Sequence, residues 1–200
     1  MLLGAMAPLA VAGNVAAQDV QVVRGATIIP GGACAAFEDG IIVIEGDEIA
    51  AVGPAASTAV PGDAVVIDAE GQYVIAGLAD MHVHLEYFET PAYLGLFVAN
   101  GVTTVRSMDG RDFMLDWRRQ IEAGNLIGPT IYTAGPLLDG DPPARFDNMV
   151  VPNAEAAREA VRQQAAAGYD FIKVYSNLAA DTYTAILAEA GQQGLPVAGH

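Results

Sequence analysis

Two different rhythms of apolar and polar residues divide the chain. Between residues 19 and 74, short β-branched runs at 20–23, 26–29, 40–45 and 48–52 are separated by Pro30-Gly31-Gly32, Gly46-Asp47 and Gly53-Pro54. Runs of that length, punctuated by turn residues, predict a small antiparallel β unit. The next apolar run, residues 73–79, reads as a buried strand ending on Asp80-Met81-His82-Val83-His84. Beyond it strand and helix alternate. A helix over 91–100 stops at Gly101, a strand follows at 102–106, and a helix over 112–123 stops at Gly124. Residues 130–134 form the next strand. Asn153 caps a helix whose apolar positions Ala157, Val161 and Ala165 recur every four residues up to Gly168. Residues 170–175 are a fourth strand, Asp181 caps a helix to about residue 190, and 194–200 begins a fifth strand.

Five strands alternating with four helices predict a parallel α/β sheet, which right-handed crossovers allow to be either an open doubly wound sheet or a barrel. A doubly wound nucleotide-binding sheet places a Gly-rich turn after its first strand, and His84-Leu85-Glu86-Tyr87 is not one. The chemically distinctive residues His82, His84, Lys173 and His200 fall in or at the ends of three strands, which suits a barrel whose strand ends converge on one site.

Composition narrows the function classes. With 200 residues, 52% of them hydrophobic and 16% charged, the chain can bury an ordinary core, which excludes a disordered protein. A formal charge of −15 without any Lys/Arg cluster argues against nucleic acid and anionic membrane surfaces as partners. Cys34 is alone, so no intrachain disulfide forms. Residues 1–17 are apolar, and Val15-Ala16-Ala17 precedes Gln18 as in a signal-peptidase site, which reads as a secretory leader and an exported, periplasmic or secreted, mature chain. That leader lacks a positive start, since no Lys or Arg precedes Arg24. No stretch has the roughly 18 uninterrupted apolar residues of a membrane span.

Candidate chemistry centres on the strand ends. Successive side chains of a strand point to opposite faces, so Asp80, His82 and His84 share one face, and two imidazoles at that spacing can chelate one metal ion. The alternative is a pair of half-buried structural histidines. Lys173, between Phe171-Ile172 and Val174-Tyr175, is desolvated, which is costly unless it is paired, neutral or chemically altered. A neutral amine there can take up carbon dioxide as a carbamate whose two oxygens bridge two cations; alternatively, the lysine snorkels to a carboxylate such as Asp170. Residues 135–146 read as a long loop after the third strand, on the face where barrels bind substrate. In it Arg145 is either a carboxylate clamp or a solvated charge. Tyr175, on the face of Lys173, is either a donor to a substrate carbonyl or a core aromatic.

Asp68-Ala69-Glu70-Gly71 followed by Gly77-Leu78-Ala79-Asp80-Met81-His82-Val83-His84 resembles the amidohydrolase superfamily signature at the first barrel strand. Residues 101–106, 171–175 and 196–200 resemble the second, fourth and fifth strand segments of its imidazolonepropionase-like and prolidase-like branch. The resemblance implies an incomplete metal-dependent-hydrolase (β/α)8 TIM-type barrel, about its first five strands, preceded by a small β-sandwich portion. The expected division is a leader at 1–17, the sandwich portion at 18–75 and the first part of the barrel at 76–200. It also implies that His82 and His84 bind the more buried metal, that carboxylated Lys173 bridges two divalent cations, zinc being the expected metal, and that His200 belongs to the second.

In that family a hydroxide between the metals attacks an amide-like C–N bond, while a His on the sixth strand and a proton-shuttling Asp on the eighth complete the site. Neither falls within these residues, so the chain by itself is expected to be inactive and to be the N-terminal part of a longer enzyme. Ala76-Gly77 stands where Pro-Gly is usual, and Ser107 where an Asp is common, with Asp109 as its nearest substitute. The leading functional expectation is a hydrolase of small dipeptides, N-acyl amino acids or other small-molecule amides, with a homo-oligomer allowed. The alternatives are a cyclic amidase or deaminase of the same superfamily, and a catalytically inactive relative.

Overall fold

The computed structural model describes residues 20–88 and 90–200, so the expected leader at 1–17 lies outside the described residues. Contacts divide the chain between Ala76 and Gly77 into two compact units. In the first, β1 (Val20–Ile29), β2 (Phe37–Glu45), β3 (Glu48–Pro54), β4 (Val65–Asp68) and β5 (Tyr73–Ile75) form one sheet, ordered β3-β2-β1-β4 with β5 also on β1. β1 with β2 and β2 with β3 are antiparallel, as the turn residues between them require. β4 and β5, however, run parallel to β1, one beside its first half and the other beside its second. The sheet is therefore mixed, which corrects the antiparallel expectation. Gly25 lies between the two stretches with φ of +84°, and a β-carbon there would come within 3.3 Å of the Glu70 backbone. Val22, Ile41 and Val43 form this unit's core.

The run at 73–79 is two strands and not one. β5 ends at Ile75 in the first unit, and β6 (Leu78–Val83) opens the second. At Gly77 the backbone approaches Thr103 so closely that any β-carbon would overlap its side chain, which sets the break. Tyr73, Ile75 and Leu78 are all exposed, so apolar composition alone misjudged their burial.

After β6 come a 3-10 turn (Leu85–Tyr87), α1 (Leu94–Ala99), β7 (Val102–Ser107), α2 (Asp112–Glu122), β8 (Thr130–Thr133), β9 (Leu138–Asp139), β10 (Met149–Val150), α3 (Ala154–Ala167), β11 (Ile172–Lys173), α4 (Ala180–Gln193) and β12 (Val197–Ala198). β6, β7 and β8 pair in parallel, as do β11 and β12, and a parallel bridge between Ala134 and Phe171 joins the two groups. Strand thus follows strand in chain order, with helices between, in an α/β arrangement. Val83, Val105 and Ile131 pack against Leu94, Met114 and Trp117 of α1 and α2, while Ile172 and Val174 pack against Ala157 and Val161 of α3 and Ala185 and Ile186 of α4. The helices therefore cover one face of the strands.

Helix ends follow local chemistry. Asn153 accepts the Ala156 N–H at 2.9 Å and starts α3, and Gly168, left-handed at φ of +89°, ends it. Ala179, and not Asp181, is the N-cap of α4; the Asp181 carboxylate sits within the first turn, accepting the Thr182 N–H. The segment read as a loop after β8 contains β9, paired in parallel with β10. Among the described residues, no helix is long and apolar enough to cross a membrane.

Candidate metal centre

The end of β6 is bulged. Asp80 pairs with Val105 and Val83 with Ser107, so Met81 and His82 together stand opposite the single residue Arg106. The irregularity frees the Met81 carbonyl, which accepts a 2.8 Å hydrogen bond from Arg106 Nε. It also breaks the strict alternation expected of 80–84: Met81 and His82 are both exposed, whereas Val83 is buried. The Asp80 carboxylate turns back to accept the His82 N–H at 3.2 Å. His82 and His84 nevertheless stand together, with ring centroids 5.4 Å apart.

Beyond β6, Leu85 is fully buried and pins the 3-10 turn to the core. The turn brings Glu86 back onto His84, with Oε1 2.6 Å from Nδ1. The Glu86 side chain is only 4% exposed, and its Oε2 has no hydrogen-bond partner among the described residues. Sequence reasoning missed Glu86; its signal was a carboxylate two residues after the second histidine.

Lys173, on β11, is 2% exposed. Burial, and then the charge of Arg106, lower its amine from the usual lysine value. Among the described residues no ion pair involves Lys173. The alternative of Asp170 as its partner fails because that carboxylate accepts both hydrogen bonds of Arg118 Nη1, at 2.8 and 3.1 Å, and the Thr133 N–H at 2.7 Å. His82 is held below the ordinary imidazole value by partial burial and then by Lys173, His84, Arg106 and His200. His200 itself meets Tyr175 edge to face, with centroids 4.4 Å apart.

The loops above these strands are tied by charge. Asp139, buried on β9, accepts N–H groups from Gly140, Ala144 and Asn177 and the side-chain amide of Asn148, at 2.6–2.9 Å. Burial alone would raise its carboxyl, but these four donors hold it below the usual range. Arg145 spends Nε and Nη2 on Asp147 and also donates Nη2 to the Tyr87 hydroxyl, whose ring lies 5.9 Å from that of His84. A substrate carboxylate would have to compete with Asp147 for it. Asp109 is fully buried and engaged by Arg111 and by the Leu137 N–H, so it fastens two loops together, while Ser107 Oγ is buried without a partner.

Among the described residues, no three His, Cys, Asp and Glu side chains stand close enough to surround one ion. Among the described residues, Lys173 is the further candidate donor beside His82 and His84. The donor set fits that role, because His82 and His84 are adjacent, His84 keeps Nε2 free of Glu86, and the buried amine lacks a carboxylate partner.

No family model matches the chain. It is 30% identical over 201 residues to adenine deaminase of Chelativorans sp. (strain BNC1), a match covering 90% of this chain and 31% of that one. Over 67 residues it is 43% identical to adenine deaminase of Cenarchaeum symbiosum (strain A), covering 33% of this chain and 11% of that one. Among solved structures, a candidate prolidase from Bifidobacterium longum is 28% identical with a TM-score of 0.76, over 92% of this chain and 49% of that one. Molinate hydrolase shares the fold at 20% identity and a TM-score of 0.75, over 92% and 54% of the two chains. The chain thus spans about a third of the adenine deaminase it matches along most of its length, and about half of the solved structures.

Proposed function

The chain belongs to the amidohydrolase superfamily, and on that premise we propose that the whole protein is a metal-dependent hydrolase of amide-like C–N bonds. The observation that carries this reading is Lys173, buried with no carboxylate partner among the described residues, on the same side of the sheet ends as His82 and His84. His82 and His84 would hold one divalent cation, His200 a second, and Lys173, carboxylated on Nζ, would lie between them. When bound, such ions, zinc being the expected pair, polarise a carbonyl and lower the pKa of water to about 7.

The chain's own residues supply placement. Arg106 holds the Met81 carbonyl at the β6 bulge and, after burial, adds to the lowering of the neighbouring amine's pKa; the neutral amine is the form that accepts carbon dioxide. Tyr175, half-buried against His200, offers its hydroxyl to a substrate carbonyl oxygen. Arg145 acts on the substrate side through Tyr87, whose hydroxyl it holds. The five parallel strands would be the first of a (β/α)8 barrel, with the sheet of β1–β5 one part of a small β-sandwich. Met81, Arg106 and Tyr132 line a groove of about 320 Å³ that would be interior to the closed barrel. Residues 20–200 alone would lack turnover, since the resemblance places the proton-shuttling Asp on a later strand. The leader at 1–17 would export the protein.

Dipeptides and N-acyl amino acids are the leading substrates. A deaminase is the second reading, favoured by the adenine deaminases among the relatives. Assaying the whole protein against N-acyl amino acids, dipeptides and adenine separates them: release of an amino acid supports the first reading, and ammonia from adenine the second. Unchanged turnover in His82→Ala or Lys173→Ala would refute both.

A further inference from the structure

Glu86 has no part in the reading above, yet its carboxylate is buried directly against His84. A carboxylate can only accept, so the 2.6 Å contact makes His84 Nδ1 the donor and leaves the lone pair on Nε2. Leu85 fixes the turn in the core, so Glu86 cannot swing away without unpacking it. Its second oxygen is buried and unpartnered, and its charge is among those that favour the Arg111 cation. A buried carboxylate left half-satisfied costs stability. The cost is offset if the neutral imidazole it holds ligates a cation through Nε2.

We propose that Glu86 is a positioning residue that locks His84 in the Nδ1–H tautomer and aims Nε2 at a divalent cation. The inference rests on the reading of His84 as a metal ligand. The carboxylate draws on the Nδ1 proton, making Nε2 a stronger donor, and fixes the ring against rotation. No bond is made or broken, and the proton stays on Nδ1.

The test uses the metal-stripped whole protein and zinc alone. Zinc affinity is measured by chelator competition for wild type, E86A, E86Q and H84A, and the His84 tautomer is read from imidazole ¹⁵N resonances before zinc is added. E86A is expected to bind zinc about 10- to 100-fold more weakly and to show a mixed His84 tautomer. E86Q, whose amide oxygen still accepts the Nδ1–H, is expected to keep the tautomer and recover part of the affinity. Wild-type affinity in E86A overturns the proposal, as does weaker binding with an unchanged tautomer. If E86A does not fold, E86Q decides: any zinc weakening with the tautomer retained supports the proposal, and none overturns it. H84A separates the layers. Zinc retained in H84A refutes the metal-ligand reading itself, whereas zinc lost in H84A and kept in E86A refutes only the role of Glu86.

Discussion

The backbone N–H of Asn177 reaches across 38 positions to the buried carboxylate of Asp139, 2.9 Å away, and locks the loop after β11 to the segment after β8. The approach is so close that a β-carbon on Gly140 would overlap the Asn177 carbonyl. Asp139→Ala strands donors that the carboxylate satisfied, each costing about 1–3 kcal/mol if left buried. We expect a loss of about 3 kcal/mol in chemical denaturation, with faster hydrogen exchange at Ala144 and Asn177. A change within error would mean that water replaces the carboxylate.

The same hub gives an acid dependence with a definite sign. Asp139, and Asp147 through its pairing with Arg145, titrate below the usual carboxylate range in the folded protein. Their contribution is complete above the unfolded value of about 3.9 and is lost as pH falls through the lower folded values. Between those limits the unfolded state binds more protons, so stability should drop as pH drops. Asp139→Asn should flatten that limb of a stability-against-pH curve; an unchanged slope would contradict it.

At Lys173 stability and function should separate. Methionine, one atom shorter, keeps most of the apolar stem without the charge, and among the described residues no carboxylate pairs with the amine. Lys173→Met should shift folding stability by less than about 1.5 kcal/mol in either direction, while removing turnover and one or both metals. Intact activity in this variant would exclude a bridging role.

Arg145 and Tyr87 should behave as one unit. If the guanidinium acts by holding the hydroxyl, Arg145→Ala and Tyr87→Phe will each raise KM, and the double variant will resemble the worse single one, with a coupling of about 0.5–3 kcal/mol. Additive effects would mean that Arg145 meets substrate independently.

The course of the second unit was legible because strand and helix periods alternate cleanly after His84, and because Gly101, Gly124 and Gly168 follow the first three helices; the fourth, expected to end near 190, runs to Gln193 before Gly194. The spacing of His82 and His84 and the apolar flanks of Lys173 were legible for the same reason: alternation and hydrophobicity are local properties. Parallel pairing of β4 and β5 with β1 was not, since direction depends on a partner distant in sequence. The β6 bulge was hidden because it arises from β7, where one residue, Arg106, opposes two. Asp139 was invisible because most of its partners are backbone N–H groups, which carry no residue signature. Glu86 was passed over because a carboxylate two residues after His84 does not by itself reveal its direction, and only the folded turn shows that it faces His84.

The most direct test of the central claim is the metal content of the whole protein purified in the presence of zinc. The account predicts close to two zinc ions per chain, falling in His82→Ala and Lys173→Met. A folded wild-type protein that carries no zinc, or that carries the same amount after both substitutions, would contradict it.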